Sequence, residues 1–216
     1  MKKRVDAIVS AGLFAAFILL IMLLKTVDVG AIGPADTCVG LSGINGYFRD
    51  LIGTNDAFYL ISKLLGIFEI LIAALLLGVG AFSLFRDKSF KNIPKPYFYA
   101  MCAFALLAVI YLFFEIVIIN YRPILEDGAS YPEASFPSSH TMLAVAIMGV
   151  TANLFGRIRL KDKRIITILK TACIILAVIT VAARFLSGVH WFTDICGGIL
   201  IGLAIVFAYR ATQIFW

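Results

Sequence analysis

Apolar residues run through this chain in long blocks separated by short polar stretches, and the blocks have the length of membrane spans. The first covers Ala7–Leu24, behind the basic start Met1-Lys2-Lys3-Arg4. The others cover Phe58–Phe85, Tyr97–Ile119, His140–Phe155, Ile165–Ala183 and His190–Phe207. Crossing a bilayer takes about 20 helical residues, so six transmembrane helices are expected, the fourth a short one. Pro137-Ser138 supplies its start and Gly156 its stop. The first run is longer than the apolar core of a cleaved leader and no small-x-small site follows it, so it reads as a retained span. The loop Thr26–Asp56 carries six glycines and Pro34. Inside it Leu41, Ile44, Phe48 and Leu51 recur at helical spacing, which predicts a short helix on the membrane surface. A connector is the expected role of this loop, with a gate as the sharper alternative.

Composition agrees with a membrane protein. The chain has 216 residues, of which 62% are hydrophobic and 15% charged, where a soluble domain carries about 25% charged residues. Six spans leave no room for a soluble domain, so residues 1–216 read as a single membrane-embedded, all-α polytopic unit. A net charge of +6 would suit nucleic acid, but its placement points elsewhere. Of the 19 Lys and Arg residues, 14 fall at the N-terminus, between Arg86 and Lys95, between Arg157 and Lys170, and at Arg210. An even number of spans puts all of these on one side, which the positive-inside rule makes cytoplasmic together with both termini. Arg122, Ser138, His140, Arg184 and His190 then meet at the opposite, extracytoplasmic surface of the cell membrane. Cys38, Cys102, Cys173 and Cys196 have no metal-like spacing. Three of them lie in apolar runs as small buried thiols, and no disulfide is expected. Phe98, Tyr99, Phe113, Phe114, Trp191 and Phe192 fit interface belts or lipid contact.

Three polar clusters stand out against this background: Asn120-Tyr121-Arg122-Pro123, Phe136-Pro137-Ser138-Ser139-His140, and Ala183 to Asp194. The two histidines of the chain both fall in them. On a helix, His190 and Asp194 would share one face, with the carboxylate on one imidazole nitrogen and the other nitrogen left as a free lone pair. Arginine forks match phosphate oxygens in geometry and charge, and the N–H groups after Pro137 offer an anion seat. The set suits phosphoryl transfer: His190 attacks phosphorus, forming a phosphohistidine, and His140 protonates the leaving oxygen. No nucleotide, nucleic-acid or metal motif is visible, and no cofactor is expected.

The clusters resemble the three-part signature of the type 2 phosphatidic acid phosphatase superfamily, K-x6-R-P, P-S-G-H and S-R-x3-G-x-H-x3-D. Arg122, Pro123, Pro137, Ser138, His140, Arg184, Gly188, His190 and Asp194 match it. The resemblance implies His190 as nucleophile, Asp194 as its orienter and His140 as acid, with Arg122, Arg184 and Ser138 binding phosphate. It also implies a lipid phosphate or diphosphate as substrate, of the undecaprenyl diphosphate, phosphatidylglycerophosphate or phosphatidic acid type. Three positions depart from the signature: Glu115 replaces the lysine, Ser139 the glycine and Ala183 the first serine. Ser139 adds a hydroxyl that can donate to phosphate. Glu115 lies two helical turns before Arg122, so pairing with it is one expectation and a modulating role in the site the other. Lys63 is the candidate replacement cation. Two alternatives accompany this reading: a phosphotransferase of the same fold, and a non-catalytic lipid-binding membrane protein.

Overall fold

A chain inside a bilayer must pair its backbone N–H and C=O groups within itself, and helices do so locally. The computed structural model describes residues 2–87, 93–126, 128–157 and 162–212. It contains α1 (Lys2–Thr26), α2 (Ser42–Ile52), α3 (Asp56–Asp87), α4 (Lys95–Ile116), α5 (Ser139–Phe155), α6 (Lys163–Leu186) and α7 (Phe192–Ala211). A short 3-10 turn at Pro34–Asp36 and two isolated β-bridges lie between the helices, and no strand is present among the described residues. Lys88, Lys91, Arg159 and Lys161, counted above in the basic loops, lie outside the described residues.

Five helices (α1, α3, α4, α6 and α7) are long and apolar enough to cross a membrane, and the protein is a multi-pass membrane protein. The apolar helix α5 has 17 residues, about 25 Å at ~1.5 Å per residue. It packs against α3, α4, α6 and α7 at the centre of the bundle, burying Met142, Ala144, Ile147, Met148, Val150 and Leu154. Helix α1 packs along α7, where Ser10 Oγ donates to the Ala204 carbonyl at 2.8 Å. Gly197 and Gly198 do serve close packing: a Cβ at Gly198 would lie 2.8 Å from Thr141 Cβ on α5.

Contacts at the helix ends show that the helices alternate in direction. At one end Arg210 pairs with Asp6 at 2.9 Å, Arg157 donates to the Tyr209 carbonyl, and the Tyr209 hydroxyl to that of Pro96. At the other end Lys25 Nζ donates to the Ile119 carbonyl at 2.8 Å, and the Asn55 N–H to that of Ser187. All three polar clusters lie at this second end.

The structure corrects four expectations. The last helix begins at Phe192, so His190 precedes it. The helix α4 stops at Ile116, so Arg122 lies in a loop and not two turns along the helix from Glu115. Trp191 is buried, its indole N–H donating to the Tyr121 carbonyl at 2.6 Å, and Phe192 stacks on Phe48 with ring centroids 4.3 Å apart. Trp191 is therefore not a lipid-facing belt residue, while Phe192 is half-buried. All four cysteines are free, but among the three in apolar runs only Cys173 is buried.

Candidate active site

The junction between α6 and α7 turns within a few residues, and Gly188 makes the turn possible. Its φ is +67°, and a Cβ there would overlap the carbonyl of Gly53, which comes from the α2–α3 connection. The turn carries Ser187, Val189 and His190 into the protein, where all three are buried. Asp194, in the first turn of α7, accepts the Trp191 N–H on Oδ2 at 2.9 Å and so caps the helix. The same oxygen lies 3.5 Å from His190 Nδ1. Asp194 thus lies beside His190 across a helix start rather than along a helix face, at 3.5 Å and without a hydrogen bond.

The other imidazole nitrogen faces Arg184. Arg184 Nη2 donates to His190 Nε2 at 2.9 Å, which leaves the proton of a neutral ring on Nδ1, on the Asp194 side. Arg184 is 1% exposed. Its Nη1 reaches Ser62 Oγ at 3.4 Å, and its guanidinium lies 5.2 Å from the Tyr59 ring centroid. The cation also sits in the last turn of α6, where the helix carbonyls favour positive charge. Burial first, and then the charges of Arg184, Arg122 and His140, hold His190 well below the usual imidazole range; the Ser135 backbone pulls the other way. The ring is neutral at physiological pH.

A cleft opens beside His190, lined by Tyr111, Glu115, Arg122, Pro137, Ser139 and His190 among others. Its free volume is about 20 Å³, the scale of a single water, so a phosphoryl group enters only as the lining side chains give way. Arg122 is held in a loop closed by two backbone bonds, Arg122 N–H to the Glu133 carbonyl and Ser135 N–H to that of Asn120. Its guanidinium is not free: Nη1 pairs with Glu126 at 2.5 Å and Nη2 with Glu133 at 3.2 Å. These two carboxylates, and not Glu115, are the ion-pair partners of Arg122. Glu115 is exposed on the cleft wall and interacts with the Tyr111 hydroxyl one turn earlier on α4.

The remaining candidates divide. Ser139 lines the cleft, whereas Ser138 is fully buried behind it, its N–H donating to the Asp194 carbonyl at 3.0 Å. One N–H of the expected anion seat is therefore taken, by the neighbouring helix start. His140 lines an adjoining cavity of about 420 Å³ between α3, α4 and α5, which shares Tyr111 and Ser139 with the cleft. Its ring rests on Gly66, where a Cβ would come within 2.8 Å of Cδ2. Lys63 lies over the Tyr59 ring at 4.9 Å, outside the cleft walls, with its charge acting on His140.

Sequence reasoning missed the supports. Asn45 of α2, fully buried, donates to Thr193 Oγ1 at 3.0 Å and accepts the Thr193 N–H at 3.1 Å, pinning the start of α7. The expected surface connector thus also positions the site. Its signal was an Asn inside an amphipathic stretch. Tyr59 donates to Glu126 at 2.8 Å, linking α3 to the Arg122 loop. Glu126 carried a signal as well, four residues after Arg122.

The sequence model of the PAP2 superfamily matches residues 63–215. No curated protein matches the chain. Among solved structures the chain is similar to the crystal structure of the first transmembrane PAP2 type phosphatidylglycerolphosphate phosphatase from Bacillus subtilis. That match has a TM-score of 0.66 and 18% identity, covering 94% of this chain and 95% of the other. At this identity the likeness is one of fold.

Proposed function

The chain belongs to the PAP2 superfamily, and from this premise we propose that it is a lipid phosphatase of the cell membrane. In this reading α5 completes a set of six spans, both termini are cytoplasmic, and the candidate site opens at the outer surface. The basic residues gathered at the end opposite the site support that orientation. The substrate is a lipid phosphate or diphosphate whose hydrocarbon part stays in the bilayer.

One observation carries the proposal: His190 sits at the cleft with Arg184 on Nε2 and Asp194 beside Nδ1. An arriving phosphate competes for the Arg184 fork and so frees the Nε2 lone pair. Nε2 then attacks phosphorus in line, the bond from phosphorus to the lipid oxygen breaks, and His140 gives that oxygen a proton. Asp194 steadies the positive charge on the ring. A water, giving its proton back to His140, attacks phosphorus next; the P–N bond breaks and inorganic phosphate leaves. No step of this sequence calls for a metal.

Phosphate release by the purified protein in detergent, across lipid phosphates, tests this reading. Release is expected, and His190→Ala should lower it by at least about 10³-fold; equal release by the mutant refutes the phosphohistidine. A second reading rests on Glu115. A carboxylate on the cleft wall can take a proton from an alcohol, which would make the enzyme a transferase to a second lipid. Product analysis separates the two, since transfer yields a new lipid phosphate in place of free phosphate.

A further inference from the structure

Resting on the phosphatase reading, we infer that the site selects lipid phosphomonoesters and rejects lipid diphosphates, with Glu115, Glu126 and Glu133 setting the preference. A monoester phosphate carries about 1.5–2 negative charges at neutral pH on three oxygens. A diphosphate brings further charge and a second phosphoryl group, which needs its own cationic partner. Among the described residues that line the cleft the cation is Arg122, and it is already paired.

Arg184 is committed to the reacting phosphoryl group, because its fork already lies on His190 Nε2. Arg122 is the arginine that lines the cleft itself, and both its terminal nitrogens are held by carboxylates, Glu126 on one and Glu133 on the other. The third carboxylate, Glu115, stands on the wall at the position where the family signature carries a lysine. Lys63 lies over the Tyr59 ring and off the cleft wall, and its charge is felt at His140. A second phosphoryl group placed toward Arg122 would have to displace two glutamates and lie beside a third. Like charges a few ångströms apart at a protein surface repel strongly enough to decide such a choice.

The neighbouring cavity offers no alternative seat. Apart from Tyr111, Ser139 and His140, its walls are apolar, including Ile67, Ile70, Leu77, Phe104 and Leu143. It suits hydrocarbon, and the phosphate falls to the small cleft.

The test compares kcat/KM for phosphatidic acid and for a prenyl diphosphate, in detergent, for the wild type, E115K, E115Q and E133Q. The wild type should favour the monoester by at least about tenfold, and E115K should narrow that ratio by about tenfold. E115Q, which keeps the side-chain volume, and E133Q, which loosens Arg122, should narrow it less. Reading a ratio cancels any loss of folded enzyme. Binding of inorganic phosphate and pyrophosphate, followed by calorimetry, gives the same comparison without turnover. Pyrophosphate should gain on phosphate in E115K. A wild type that prefers diphosphate, or a ratio unmoved in all three variants, overturns the inference. Monoester release that survives His190→Ala instead refutes the phosphohistidine reading and leaves the binding comparison to decide selectivity.

Discussion

Two arginines answer to the same expectation from sequence, and the fold treats them differently. Arg184 ends a long helix, is 1% exposed, and among the described residues forms no salt bridge, with Glu126 acting on it only through space; its fork is directed onto His190. Arg122 sits in a loop with its side chain 14% exposed and is neutralised by Glu126 and Glu133. A buried cation without a salt-bridge partner is costly, and the α6–α7 junction bears that cost with the α6 carbonyls, Ser62, the Tyr59 ring and the more distant charge of Glu126. The loop avoids it with glutamates. The difference separates a charge held ready for an anion from one that an anion must first win over.

On that contrast, removing Arg184 should have the larger consequence. Arg184→Ala should reduce kcat by about 10²–10³-fold, and Arg184→Lys should recover little of it, since an ammonium cannot span both His190 and phosphate as a fork does. The pH profile sharpens the point. Burial and then Arg184 are the leading causes that keep His190 neutral below the usual imidazole range. In the proposed mechanism the neutral ring attacks phosphorus, so wild-type activity should persist as pH falls through that range. In Arg184→Ala the histidine should titrate higher, and the acid limb of kcat/KM should move up in pH. An unmoved limb would mean that Arg184 does not act on His190.

Arg122→Ala should be milder, about 10-fold to 10²-fold and mainly in KM, because its charge is already shared with two carboxylates. Equal losses at the two arginines would break the comparison. The smallest expected effect is at Asn45, which holds the junction and does not touch the cleft. Asn45→Ala should cost about 1–3 kcal/mol of stability through the unpaired groups on Thr193, seen as a lower Tm in detergent. A few-fold drop in kcat with KM unchanged would mark it as a positioning residue.

Much of this was legible in the chain. Helix positions follow from apolar block length, because a bilayer demands about 20 residues per crossing and sets their order. Arg122, Ser139 and His190 do line one cleft, and Arg184 and Asp194 flank His190, because alternating helices bring those clusters to one end. His140 came out in the adjoining cavity, and Ser138 behind the wall. Those placements depend on the rotation of α5 against α3 and α7, which no spacing rule contains.

The sequence by itself determined the membrane class, the helix order and the residues that gather at one end, since hydropathy and motif spacing are local properties of the chain. The tertiary structure decided which of those residues are available. The Gly188 turn against Gly53 places His190 ahead of α7, and Asn45 pins that helix from a segment far away in sequence. Glu126 and Glu133, not Glu115, take the charge of Arg122. Each is a contact between distant segments, and its strength depends on burial and distance, which exist only once the chain has folded.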